Sequence, residues 1–294
     1  MNPNLFERIL VPTDLSAFDD LAVRYALLFN ERLGSKITLF HAQEISWLAA
    51  EHPAGYYFEN PMEAKEELQA RLADYARRMT PQTARVATIF ADSDPVAGIL
   101  RAADETHADL IVMATHARSG FRRAVIGSVT ESVLHHAKRP VITVAPRLLA
   151  VDQSVRLRTI LCPVNFSGVA RAALEQATAL AESFDAELIV LHVAESGISS
   201  VEPLFAQWVD PLLRDRTRYR QIVVKGDAAP RVLEVADQVD ADLLVVGAQH
   251  KFLHDATVLG TTTEHITRFA RHAVMTVMQP TVGAADKPRE LLTV

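Results

Sequence analysis

Short apolar runs alternate along this chain with stretches whose apolar residues recur roughly every three to four positions. The runs read as strands and the stretches between them as amphipathic helices. In the first half this pattern predicts strands near 8–12, 36–42, 84–90, 109–114 and 140–145. Helices fall between them, near 17–33, 61–80, 94–107 and 127–138. Leu110-Ile111-Val112-Met113 is apolar without interruption, as a strand covered on both faces requires. Asp94-Pro95 marks a helix start, because a capping side chain precedes a proline whose missing N–H is harmless in the first turn. The second half repeats the plan, with strands near 158–163, 187–193, 221–225, 242–247 and 274–278. Strand and helix in strict alternation predict an α/β fold with a parallel sheet.

The repetition extends to the residues themselves. Ile9-Leu10-Val11-Pro12-Thr13-Asp14-Leu15-Ser16 returns as Ile160-Leu161-Cys162-Pro163-Val164-Asn165-Phe166-Ser167, and His41 and His192 each close an apolar run in the same register. Ala108-Asp109-Leu110 matches Ala241-Asp242-Leu243, Gly127-Ser128 matches Gly260-Thr261, and Val141 to Val144 matches Val274 to Val277. An offset of about 150 residues is a whole domain rather than a solenoid repeat. We therefore expect one domain over 1–147, a linker over 148–155, a second domain over 156–280 and a loose tail over 281–294. The halves differ in the middle, where the first carries extra aromatic material (Trp47, Tyr56, Tyr57 and Phe58) that reads as a loop packed on the protein or as a lid over a ligand.

Composition narrows the function classes. Of 294 residues, 49% are apolar and 22% charged, ordinary for a globular protein, and the net charge is −6. Without a basic stripe, nucleic acid is not an expected partner. No apolar run is long enough to span a membrane, and Glu7-Arg8 ahead of a very short apolar run does not read as a signal peptide, so a cytoplasmic location is expected. Cys162, the single cysteine, stands where the first half has Val11 and reads as a small buried hydrophobe.

Ligands of open α/β sheets sit beyond the carboxyl ends of the strands where strand order reverses. If the first and fourth strands are neighbours, Asp14 meets the loop after Ala114 there. Asp14 then accepts a ribose hydroxyl, or serves only as an acid near a helix start. The helix starting near Gly127 offers N–H groups to an anion, with a glycine that permits close approach and Ser128 as an added donor. Thr130 and Glu131 in the same turn read equally well as structural. His250 and His254 fall in a predicted loop with no acidic partner placed beside them, so no metal site is expected. No Gly-x-x-x-x-Gly-Lys-Ser/Thr or Gly-x-Gly-x-x-Gly run is present. Nor does any nucleophile–base pair stand at recognisable spacing, so no enzyme activity is expected beyond, at most, slow ATP hydrolysis.

Both halves resemble universal stress protein domains, whose signature is Gly, two residues, Gly, nine residues, Gly, then Ser or Thr. The spacing is met at Ala114, Ala117, Gly127, Ser128 and again at Gly247, His250, Gly260, Thr261. The resemblance implies two Rossmann-like domains, each an open five-stranded mostly parallel sheet of order 3-2-1-4-5 with helices on both faces. It implies that they pair about a pseudo-twofold through Val141 to Val144 and Val274 to Val277, with association of whole chains into a homodimer compatible with the same reading. The implied ligand is an adenine nucleotide, ATP with Mg²⁺. In the first half it would meet Pro12, Thr13, Asp14, Ala42, Ala114, Ala117, Gly127, Ser128 and Val129. In the second, weaker half it would meet Pro163, Val164, Asn165, Val193, Gly247, His250, Gly260, Thr261 and Thr262. Departures from the signature bear on this. Alanines replace both early glycines of the first half, and an alanine forced to φ > 0 costs roughly 1–2 kcal/mol. In the second half Asn165 replaces the aspartate and His250 a glycine. Two readings follow: a nucleotide-binding stress-response module, or an interaction scaffold of the same fold that binds no nucleotide.

Overall fold

In the computed structural model each half builds the same unit, described over residues 5–44, 61–115, 126–145, 155–194, 201–213, 216–248, 250–253 and 256–278. The first half runs β1 (Arg8–Pro12), α1 (Asp20–Leu33), β2 (Lys36–Ala42), α2 (Pro61–Met79), β3 (Val86–Ala91), α3 (Pro95–Glu105), β4 (Leu110–Ala114), α4 (Ser128–His136) and β5 (Val141–Val144). The second opens with β6 (Thr159–Pro163), α5 (Gly168–Phe184), β7 (Glu187–Ala194), α6 (Glu202–Trp208), α7 (Asp210–Leu213), β8 (Tyr219–Lys225) and α8 (Ala228–Gln238). It closes with β9 (Leu243–Ala248), a hairpin of β10 (His250–Leu253) and β11 (Ala256–Leu259), α9 (Thr261–Phe269) and β12 (Ala273–Met278).

Ten strands form one sheet, in the order β3-β2-β1-β4-β5-β12-β9-β6-β7-β8. Neighbours within each half are parallel, in the expected 3-2-1-4-5 order. Between the halves β5 and β12 pair antiparallel, with Ile142 opposite Met275, the arrangement that a twofold between equal units demands. The hydroxyls of Thr143 and Thr276 donate across the junction to the carbonyls of Val274 and Val141, at 3.3 and 3.2 Å. An apolar terminal strand is an edge that needs covering, and each half covers the other's.

Burial follows the apolar pattern. On the face carrying α1 and α5 a single core draws on both halves, from Phe29 and Ile142 to Cys162, Leu174 and Met275. Phe29 of α1 meets the ring of Phe184 at the end of α5, 5.2 Å between centroids. Tyr25 and Arg32, also on α1, donate to the carbonyls of Asp242 and Ser183 in the other half. Cys162 is fully buried as expected, and burial pushes its thiol pKa up, so it packs as a hydrophobe.

Local determinants repeat as well. The aspartate ahead of β4, Asp109, accepts the N–H groups of Glu7 and Arg8, and Asp242 ahead of β9 accepts those of Arg158 and Thr159. Each ties the start of the fourth strand to the start of the first. Asp94 caps α3 as predicted, accepting the Ala97 N–H at 2.8 Å. One expectation is corrected: the run containing His250 is not an irregular loop, because His250 opens β10, and β11 leans on α4 of the first half. Two four-residue strands are too short to stand out as period-two runs. The aromatic insertion within 45–60, residues 148–154 of the expected linker over 148–155 and the expected tail over 281–294 lie outside the described residues.

Candidate functional site

Because β1 lies between β2 and β4, the carboxyl ends of β1 and β4 are adjacent at the reversal of strand order. Pro12 ends β1, Ala114 ends β4 and Ala42 ends β2, so three expected site residues share one rim of the sheet. Gly127 and Ser128 start the helix that follows β4. In the second half Pro163, Gly247 and Val193 occupy the corresponding strand ends. Ala117 lies outside the described residues, as does the side chain of His250.

The turn after β1 is held by side chains. Asp14 N–H donates to the carboxylate of Asp19 at 2.7 Å, Leu15 N–H to the Thr13 hydroxyl at 2.8 Å, and Ser16 N–H to Asp14 Oδ1 at 2.9 Å. Thr13 and Asp19 are buried, while Asp14 is exposed at the rim. Leu15 adopts φ +67°, and Phe166 at the same place in the repeat adopts φ +60°. A left-handed non-glycine residue costs about 1–2 kcal/mol, and strain of this kind persists where its surroundings over-determine it. Neither Thr13 nor Asp19 has a counterpart in the second half, where Val164 and Ala170 stand instead. There Asn165 Oδ1 accepts both the N–H and the hydroxyl of Ser167, at 3.2 and 2.6 Å.

The strand-end histidines do more than pack. His41 Nδ1 lies 2.7 Å from the Thr13 carbonyl, and His192 Nδ1 lies 2.8 Å from that of Val164. A carbonyl only accepts, so each imidazole donates and fixes the turn after the first strand. Desolvation lowers the His41 pKa, with Arg71 adding to the effect and the Thr13 carbonyl and Asp14 opposing it. The unfolded chain therefore takes up a proton first as pH falls below about 6.5. The stability contributed by neutral His41 is full above that pH and is lost as pH falls through the lower folded value. His41→Asn keeps a donor near the Nδ1 position and removes the titration, so chemical denaturation between pH 7 and 5 should show a shallower loss of stability than in the wild type. Equal slopes would assign the pH dependence elsewhere.

The helix starts bear on anion binding. α4 and α9 begin on Gly127 and Gly260, at φ −63° and −60°, and neither has a side-chain cap. Here glycine supplies the absence of a side chain rather than a left-handed backbone. Thr130 and Thr263 are structural: their hydroxyls donate back to the carbonyls of Ala114 and Gly247, at 3.0 and 2.8 Å, and fasten each helix to its strand. Ser128, Thr261 and Thr262 are exposed, and Val129 is half-buried.

The early alanine and glycine of the signature also acquire reasons. Ala114 keeps a negative φ in β4, so it carries no left-handed strain. A Cβ on Gly247 would collide with the Val169 side chain and stand 2.8 Å from the Val169 carbonyl oxygen. α5 begins at Gly168, opposite Ala17 in the repeat, whereas α1 begins only at Asp20. The earlier helix start brings Val169 against β9, so Gly247 has a packing duty of its own.

The family model described as the Universal stress protein family matches residues 5–145 and again 156–278. The chain belongs to the universal stress protein family. It is a tandem member, with one such unit in each half. A universal stress protein of Mycolicibacterium smegmatis is 27% identical over 290 residues, covering 92% of this chain and 96% of its own. One from Methanocaldococcus jannaschii is 24% identical over 154 residues, 48% of this chain and 95% of its own, so a single unit makes up nearly that whole protein. The crystal structure of a universal stress protein from Archaeoglobus fulgidus matches with a TM-score of 0.71 at 22% identity, covering 94% of this chain and 100% of that one. A functionally unknown Pseudomonas aeruginosa protein shares the fold at a TM-score of 0.66 and 17% identity, covering 94% of this chain and 93% of that one. These likenesses carry the fold of a tandem universal stress protein across almost the whole chain.

Proposed function

We propose that this universal stress protein is a nucleotide-responsive stress module that binds an adenine nucleotide, ATP, in its first half. Asp14 would accept a ribose hydroxyl, and the N–H groups at the start of α4 (Gly127, Ser128 and Val129) would receive phosphates. The observation that carries the reading is the turn after β1, where Thr13, Asp19 and His41 hold Asp14 at the rim in a strained backbone. A carboxylate fixed in advance loses little freedom on binding, which favours affinity. Thr130 ties the start of α4 to the end of β4, the strand next to β1, and Gly127 there has no side chain to cap the helix, which suits an anion. Bound Mg²⁺ would screen the phosphates, and the chain would serve as a binder with at most slow hydrolysis.

For the second half the scaffold reading is better supported. The Asn165 oxygen is engaged twice by Ser167, and the rings of Phe166, Phe205 and Trp208 crowd around that turn together with His192. Calorimetric titration of ATP, with adenine absorbance of the purified protein as a first check, tests both statements. Asp14→Ala should weaken binding roughly ten- to a hundredfold, the loss of one charge-assisted hydrogen bond. No heat at millimolar ATP in the wild type would leave the scaffold reading for the whole chain.

A further inference from the structure

At the opposite edge of the first-half sheet from Asp14, the amino ends of β1, β2 and β3 place three cations abreast. Arg8 is registered with Lys36, and Ile37 N–H donates to the carbonyl of Arg85, which puts Arg85 beside Lys36. Residues in register on parallel strands point to the same face, here the face packed by α3, since Leu10 and Phe40 follow two and four places on. α3 stops short of this row. Beyond its end lies an open, solvent-facing cavity of about 410 Å³, whose lining includes Arg8, Lys36, Arg85, Thr38, Ala87 and Thr106. All three cationic residues are exposed, and none forms an ion pair with a described residue.

The second half supplies an internal control. Its backbone repeats the same register, and Leu188 N–H donates to the Arg218 carbonyl as Ile37 does to Arg85. The row there reads Thr159, Glu187, Arg218. Glu187 pairs with Arg220 at 2.9 Å, and Arg218 with Asp185 at 3.5 Å. Complementing the negative end of a helix does not account for the first-half cations, because α8 ends above an equivalent row without net charge. Three unpaired like charges across about 10 Å of sheet repel one another, so the row is at its best with an anion between them. Two arginines flanking a lysine suit phosphate oxygens, which guanidinium groups grip in pairs, and a cavity of this size holds a small organic molecule.

We propose that this cavity is a binding site for a small organic phosphate carrying two or more negative charges, a site the first half has and the second half lacks. It is independent of the nucleotide reading and lies at the other end of the strands. Pyrophosphate is the probe, titrated calorimetrically into the full chain carrying Gly127→Asp, so that the start of α4 takes no part. Binding is expected, weakening as salt rises. It should fall roughly tenfold or more in the further variant Arg8→Thr with Lys36→Glu, which copies the second-half row. Arg85→Gln, a milder change on the same row, should weaken binding in the same direction, and unchanged thermal melting will show that each variant is folded. In the Gly127-containing protein, ATP binding at the other edge should survive Arg8→Thr with Lys36→Glu, so the two readings fail separately. No heat at millimolar pyrophosphate, or equal affinity in the row variants, overturns the proposal. Tighter binding of duplex DNA than of pyrophosphate, lost in the same variants, would overturn it in favour of a nucleic-acid surface.

Discussion

Phe29→Ala is expected to lower the stability of the entire chain by about 3–5 kcal/mol, the range for removing a fully buried aromatic ring, and to leave one unfolding transition. Phe29 is 1% exposed and sits between Phe6, 5.8 Å away in its own half, and Phe184, 5.2 Å away in the other. The core it belongs to is continuous across the junction, and the sheet beneath it is continuous through β5 and β12. Damage on one side therefore removes packing from both. Urea denaturation checks this when followed by circular dichroism for the whole sheet and by Trp208 fluorescence for the second half, in a Trp47→Phe background. The two signals should move together to lower urea. A Trp208 midpoint left at its wild-type value, while half the ellipticity is lost early, would mean that the halves fold independently and that the shared core is energetically minor.

How far the sequence could be read depended on the length scale of each feature. The main-sheet strands stood out because buried parallel strands must be apolar throughout, as Leu110 to Met113 are. The pairing of β5 with β12 was implied by the family resemblance, and its physical reason is the apolar edge each terminal strand would otherwise expose. The β10–β11 hairpin was missed because strands of four residues give no usable period. The turn after β1 was legible as chemistry but not as structure. Neither Leu15 nor Phe166 belongs to the residue types that favour a left-handed backbone, and Asp19 gave no sign that it would be buried and accept the Asp14 N–H. Two signals were available in principle. Thr13 and Asp19 are polar where the second half has Val164 and Ala170, and both histidines lie at one register position, which is more than strand-end packing needs. Gly247 matches the ligand glycine of the signature, yet its contact with Val169 depends on where α5 starts, and no local pattern encodes that distance.

In a background carrying Arg8→Thr with Lys36→Glu, so that the phosphate cavity at the other edge takes no part, Gly127→Asp is expected to strengthen the fold slightly while removing ATP binding. Gly127 holds φ −63° and ψ 146°, a geometry open to any residue and typical of one that caps a helix. An aspartate there can accept the unsatisfied N–H groups of the first turn and places a negative charge at the positive end of α4, a gain of up to about 1 kcal/mol. Those are the same N–H groups that phosphate would use, and the new charge repels it. Loss of two charge-assisted hydrogen bonds alone weakens ATP roughly a hundredfold or more. A raised melting temperature together with lost calorimetric heat would separate this cause from misfolding, which lowers both. Gly260→Asp is the matched variant in the second half, where a Cβ meets nothing within 4 Å and the same stabilisation is expected. Since Asn165 offers no carboxylate and its oxygen is already engaged by Ser167, ATP binding should survive Gly260→Asp. If it disappears there and persists in Gly127→Asp, the nucleotide belongs to the second half, and the turn that fixes Asp14 is strained for some other purpose.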